Sequence, residues 1–298
     1  MLQTAANMDE PRPPLHILVA EDSPSIQYLI VATLQMAGHA VTVANNGLEA
    51  VEAFEMAGRR GSGSFFDAVL MDLSMPGMDG LTAARVIRDR DRAMGGRLRI
   101  IALTAFATPE YRAKCREAGM DTFLSKPFDL DDVNRALTPG DDPAQDAQAE
   151  DNPPPTVESG RNVGAPTADE KAASSAPVDL NDALEVAGGD VDILRAAVAV
   201  ALEEMAQQLQ ELKAGMAGQD LRIVGAKAHR LKGMLANIGA SFARELAQRL
   251  ETLSEQGHLN AGPAVLHSLE AEIEQVARFY GNPGWEQRAR ACLEVNHG

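Results

Sequence analysis

Short apolar runs alternate with amphipathic stretches over the first 137 residues, and after residue 178 only amphipathic stretches remain. The runs are His16-Ile17-Leu18-Val19-Ala20, Ala40-Val41-Thr42-Val43, Ala68-Val69-Leu70-Met71, Ile100-Ile101-Ala102-Leu103 and Thr122-Phe123-Leu124. Apolar runs this short, without alternation, are expected of strands buried on both faces. Residues 26–36, 48–56, 81–88, 108–119 and 130–137 carry helical spacing, with Leu48, Val51 and Phe54 on one stripe. Pro109 fits the first turn of its helix, and Gly38 and Gly119 close two of the others. Five such strand–helix units predict an open, doubly wound, five-stranded parallel sheet with its ligands at the carboxyl ends of the strands. Residues 178–186, 190–212, 221–238, 242–253 and 265–279 read as helices, broken at Gly188-Gly189, Gly215 to Gly218, Gly239 and Gly257. They predict an antiparallel helical bundle. The pattern assigns no place to residues 281–298.

Between the halves, residues 138–177 are rich in Pro, Asp, Ala, Ser and Glu and nearly lack large apolar side chains. Such a segment buries too little to offset its ordering entropy, so it is expected to be a disordered linker. A flexible chain of this length spans roughly 35 Å, enough for one flanking domain to reach the other. The expected division is a flexible N-terminus (1–13), an α/β domain (14–137), the linker (138–177), a helical domain (178–280) and a tail (281–298).

Composition narrows the function. A formal net charge of −16 disfavours nucleic acid as a partner. The two cysteines, Cys115 and Cys292, stand far apart and suit neither a disulfide framework nor a zinc site. No apolar run approaches bilayer length and no signal-peptide pattern opens the chain, so no membrane insertion and a cytoplasmic location are expected.

The predicted topology brings Glu21 and Asp22, Asp72, Thr104 and Lys126 to one edge of the sheet, each just past a strand. Three carboxylates there repel one another unless a hard divalent cation joins them, and Mg²⁺ suits a site with few protein ligands. A carboxylate beside Mg²⁺, a hydroxyl and an ammonium is suited to attack a phosphoryl donor, with Asp72 as nucleophile. The residues Glu21-Asp22, the stretch from Leu70 to Gly80, Ala102-Leu103-Thr104-Ala105 and Lys126-Pro127-Phe128 resemble the response-regulator receiver domain, a flavodoxin-like fold, over residues 15–137. The wording is nearest to receivers of hybrid histidine kinases, with Ser23 where Asn is frequent and a longer loop at 59–64. The resemblance implies that Asp72 is the phosphoacceptor and that Glu21, Asp22 and the backbone carbonyl of Ser74 help hold Mg²⁺. It further implies that Thr104 and Lys126 contact the phosphoryl group, that Lys126-Pro127 is a cis bond and that Phe123 is the aromatic switch residue.

In the helical half, Leu221, Val224, Ala228, Leu231, Leu235 and Ile238 form one stripe, and His229 lies well off its centre. An exposed imidazole is therefore expected, with Gly225, Gly233 and Ala236 leaving room for an approaching protein and Lys232 within reach of a phosphoryl group on the ring. Gly233 inside a helix costs about 1 kcal/mol against Ala, which an unhindered face would explain. The remaining histidines have no such setting. The stretch Ala228-His229-Arg230-Leu231-Lys232-Gly233, with Ile238-Gly239-Ala240, resembles the histidine phosphotransfer (HPt) domain, an all-α four-helix bundle, over residues 180–279. The resemblance implies that His229 is phosphorylated and that Lys232 and Gly233 support it.

Together these readings predict a phosphorelay protein in which Asp72 and His229 exchange phosphoryl groups with kinase and receiver partners. No ATP-binding kinase core is visible, so a separate sensor or hybrid histidine kinase is expected to supply the phosphoryl group. The competing reading is a binding module switched at Asp72, whose bundle only docks partners. A DNA-binding regulator is disfavoured by the missing basic stripe.

Overall fold

The computed structural model describes residues 13–58, 66–104, 109–126, 128, 130–138 and 176–296. The expected cis bond at Pro127, the loop at 59–64, most of the linker and nearly all of the N-terminal segment lie outside them.

The N-terminal unit is a five-stranded parallel sheet in the order β2-β1-β3-β4-β5. The strands are β1 (His16–Ala20), β2 (Ala40–Ala44), β3 (Ala68–Asp72), β4 (Arg99–Thr104) and β5 (Thr122–Ser125). The intervening helices are α1 (Pro24–Met36), α2 (Gly47–Gly58), α3 (Gly80–Ala93), α4 (Pro109–Glu117) and α5 (Leu130–Leu137). Leu18, Val69, Ile100 and Met71 face one apolar layer, and Ile17, Val19, Leu70, Ile101 and Leu103 face the other. Burial on both faces explains why the strands read as unbroken apolar runs.

Two details depart from the sequence pattern. Leu48, expected on the inner stripe of α2, is 52% exposed, and Ala50 packs inward with Val51 and Phe54. Helix α3 runs past Arg88 into a charged stretch. Arg88 itself is buried, donating to the carbonyls of Leu98 and Gly119 at 2.7 and 2.8 Å and to Asp121 at 2.6 Å. Those fixed acceptors allow a charged residue to turn inward.

The helical unit comprises α6 (Leu180–Val186), α7 (Val191–Ala217), α8 (Leu221–Asn237), α9 (Ser241–Glu255), α10 (Gly262–Tyr280) and α11 (Gly284–Asn296). Asp179, Asp190 and Asp220 cap α6, α7 and α8 by accepting backbone N–H bonds. Gly239 turns α8 into α9 at φ +68°, and a Cβ there would sit 2.0 Å from the carbonyl oxygen of Asp179. Only glycine fits that close approach. Val224, Ala228, Leu231, Leu235 and Ile238 are buried as expected, but Leu221 at the start of the stripe is 38% exposed.

The tail that the pattern left unplaced is helix α11. Trp285 is 3% exposed and stacks edge-on to Tyr280 with ring centroids 5.0 Å apart. Tyr280 donates its hydroxyl to the carbonyl of Ile238 at 2.7 Å. One aromatic pair thus fastens α11 to the bundle.

The two units meet along α1, which packs against α7 and α8. Ile30 and Leu34 of α1 face the sheet, Leu29 joins the core of the bundle, and Ile26 belongs to the sheet-side core while its Cδ1 also reaches Gly233 of α8.

Candidate functional site

The carboxyl ends of β1, β3, β4 and β5 place Glu21 and Asp22, Asp72, Thr104 and Lys126 together, as the sequence predicts. One oxygen from each of Glu21, Asp22 and Asp72 lies within 4.8 Å of the others. Lys126 reaches between two of them, its Nζ donating to Glu21 Oε2 at 2.5 Å and to Asp72 Oδ1 at 2.9 Å. Burial raises Glu21 to about 7; Lys126 opposes this and the negative charge of Asp72 adds to it. Asp22 is also raised, by burial first and then by Asp72, against the pull of Arg230. Burial alone would lower Lys126, but the charges of Asp72 and Glu21 outweigh it and hold the ammonium protonated.

The loop after β3 is fixed by close packing. A Cβ on Gly80 would lie 2.0 Å from the carbonyl oxygen of Asp72, so α3 starts in direct contact with the end of β3. Asp79 caps α3 by accepting from Thr82 N at 2.8 Å. Ser74 lines the cavity beside Asp72. Phe123 does not. It is half-buried on β5, under the guanidinium of Arg112 at 4.4 Å from the ring centre.

His229 lies on α8, and its side chain is 25% exposed rather than fully open. Its Nδ1 is 2.6 Å from Glu251 Oε1 of α9. The other oxygen of Glu251 accepts from Lys232 at 2.6 Å. Lys232 is buried against Glu251, the same carboxylate that His229 meets, and it lines the cavity with His229. Gly225 has a second neighbour. A Cβ there would lie 2.6 Å from Ser254 Oγ, so it admits the neighbouring helix α9, and it also lines the cavity beside His229. Gly233 does face across, with Ile26 of α1 at 3.3 Å from its would-be Cβ. Met234 is buried in the bundle core.

Both sets of residues line one cavity of about 700 Å³, which includes Glu21, Asp22, Asp72, Ser74, Thr104, Lys126, His229 and Lys232. Arg230 crosses it, with Nη1 2.9 Å from Asp22 Oδ2 and Nη2 donating to the Asp22 carbonyl. Glu204 of α7 accepts from Arg230 Nε at 3.1 Å and from the start of α1.

Residues 17–138 match the family described as response regulator receiver domain, and residues 196–279 match the Hpt domain. The chain is a receiver domain followed by an Hpt domain. The receiver–Hpt chain is similar to the sensor histidine kinase GacS of Pseudomonas protegens, with 28% identity over 88% of this chain and 26% of that protein. The receiver part is 36% identical to the sensor histidine kinase RcsC of Escherichia coli over 41% of this chain and 12% of that protein. The chain spans about a quarter of the length of the GacS proteins it matches. Among solved structures, the receiver domain of the Pseudomonas aeruginosa sensor histidine kinase PA1611 is 38% identical. It has a TM-score of 0.36 and covers 42% of this chain and 95% of that one. A complex of the yeast phosphotransfer protein Ypd1 with the receiver domain of Ssk1 gives 27% identity and a TM-score of 0.38, over 42% of this chain and 88% of that one.

Glu251, Arg230 and Glu204 were not foreseen as site residues. Arg230 carried a signal in its place beside His229. Glu251 and Glu204 had none, because each is one acid among many on an amphipathic helix.

Proposed function

We propose that this receiver–Hpt protein is a phosphorelay carrier, with Asp72 and His229 as the two phosphoryl-bearing residues. The observation that supports the reading is the shared cavity, which sets a carboxylate and an imidazole on facing domains. In the forward step an oxygen of Asp72 attacks the phosphorus of a phosphohistidine. An O–P bond forms, the N–P bond breaks, and its electron pair returns to the imidazole nitrogen. In the reverse direction the lone pair of His229 attacks the acyl phosphate and the Asp72 carboxylate leaves with the O–P pair. An imidazole that donates Nδ1–H to Glu251 carries its lone pair on Nε2, the nitrogen that would take the phosphoryl group. Glu251 also offsets the positive charge that develops on the ring. Lys126 and the Thr104 hydroxyl would meet the phosphoryl oxygens.

The clustered oxygens suit a hard divalent cation of the Mg²⁺ kind, held by Glu21, Asp22, Asp72 and the Ser74 carbonyl. When bound, Mg²⁺ would supply positive charge to the transferring group. Upstream sensor or hybrid histidine kinases and other receivers are the proposed partners. Among the described residues no helix is long and apolar enough to cross a membrane.

Acetyl phosphate labelling tests the reading. An alkali-labile label lost in Asp72→Ala and an acid-labile label lost in His229→Ala are expected. A label that appears only on Asp72, even with receiver partners present, would favour a switched binding module instead.

Metal and protons compete at Glu21. Its folded-state pKa is raised, so the metal-free fold binds a proton that the unfolded chain releases above about pH 4.3. The contribution of Glu21 to stability is therefore full below that pH and declines as pH rises through about 7. Magnesium is expected to raise the Tm more at about pH 8 than at about pH 5, where the proton holds its place. Equal gains at both pH values would exclude Glu21 from the metal site.

A further inference from the structure

We infer that Glu204 is a specificity-determining residue that selects the receiver of the same chain as the partner of His229. The inference rests on the relay reading and deepens it. It begins with a helix that lacks its own cap. Ser23 has the extended backbone of an N-cap, φ −91° and ψ 117°, yet its side chain caps nothing within α1. The cap comes from the other domain. Glu204 Oε2 accepts from Ser23 Oγ at 3.0 Å, from Ser25 Oγ at 2.9 Å and from Ser25 N at 3.3 Å. A carboxylate at a helix N-terminus also meets the positive end of the helix dipole.

The second oxygen of Glu204 holds Arg230, and Arg230 holds Asp22. Glu204 is thus the hinge of a chain of contacts that runs from the first turn of α1 to the acidic cluster and ends one residue from His229. Its side chain is 8% exposed. A buried carboxylate is tolerated only while its partners are present. A receiver without hydroxyls at the positions of Ser23 and Ser25 would leave Oε2 with only the backbone N–H of residue 25, at 3.3 Å, while Oε1 keeps Arg230; the loss of two of its donors in the interface is discrimination by penalty. The apolar part of the contact, Ile26 against Gly233 and Leu29 in the bundle core, adds closeness but reads no particular sequence.

The test uses full-length chains. Asp72 is labelled with acetyl phosphate, the donor is removed, and acid-labile label on His229 is followed in wild type, Glu204→Gln, the Ser23→Ala/Ser25→Ala pair and their combination. Wild-type transfer is expected to be first order and independent of chain concentration. Glu204→Gln and the serine pair should each slow it at least about tenfold. The combination should be little slower than either alone, because all three side chains serve one contact. Amide hydrogen exchange at Ser25 should accelerate in Glu204→Gln while core protection in both domains stays, which shows that the variant is folded. Unchanged transfer, additive losses or unchanged exchange at Ser25 would each overturn the inference. If wild type never labels His229, the relay reading falls. Exchange at Ser25 still reports whether Glu204 docks the domains.

Discussion

Replacing Lys126 with methionine is expected to slow phosphoryl transfer to Asp72 by roughly 10²–10³-fold, the usual loss when one fixed donor to a developing oxyanion is removed. Lys126 is the cation that touches both Glu21 and Asp72, at 2.5 and 2.9 Å, and its side chain is 10% exposed. Methionine keeps the length and the packing but removes the charge. Three carboxylates within 4.8 Å then face one another without that ammonium, so Glu21 is driven further toward its protonated form. Two readouts separate these effects. Magnesium should restore the stability of the variant, because it neutralises the same oxygens. It should not restore the rate, because the ammonium is absent from the phosphoryl oxygens. Single-turnover labelling beside thermal melts, with and without magnesium, checks both. A rate that recovers with the stability would mean that Lys126 serves only to hold the carboxylates together.

The second large effect is expected at Glu251. Glu251→Ala should reduce phosphorylation of His229 by up to about a hundredfold, the size of loss that misplacing a reacting group by about 1 Å can cause. It should also destabilise the bundle by about 3 kcal/mol, because Lys232 is left buried without that carboxylate. Glu251→Gln keeps an acceptor for Nδ1–H and should fall between. Burial alone would raise Glu251, but the bonds and charges of His229 and Lys232 outweigh it and hold it below the ordinary carboxylate range. Burial acts the other way on Lys232 and wins there, holding its ammonium below the usual lysine value despite the same bond. Glu251 joins both side chains, and under the relay reading its use is to orient the imidazole. A depressed carboxylate contributes stability that is full above its unfolded value of about 4.3 and is lost as pH falls through the folded value. Acid unfolding should accordingly begin at higher pH in Glu251→Gln than in wild type. If the two curves coincide, Glu251 carries no linked proton. If His229 labels at the wild-type rate in Glu251→Ala, the ring needs no orienting partner.

Both residue clusters could be read from the sequence because each depends on local order. Glu21-Asp22, Asp72, Thr104 and Lys126 follow successive strands, and a parallel sheet has no choice but to gather strand ends at one edge. The apolar stripe of α8 likewise gave the rotation of His229 relative to the core. Contacts between elements were not legible. Leu48 and Leu221 match the apolar period yet point outward, since a stripe gives a face but not where the covering element stops. Helix α11 was hidden for a related reason. Its anchor, Trp285 on Tyr280, is one aromatic contact with no period to detect. Arg88 ends a stretch of helical spacing that says nothing of its burial; it is a buried tie because its acceptors come from loops outside its helix.

The sequence by itself determined the two domain types, the acidic cluster and the histidine, since these follow from residue types at helical and strand spacing. Only the tertiary structure decided what surrounds the histidine. Glu251 reaches it across a helix pair, and Arg230 and Glu204 join it to the carboxylate face across a domain boundary. Such contacts depend on how packed surfaces meet, and nothing in the order of residues along one helix encodes which acid on another will meet it.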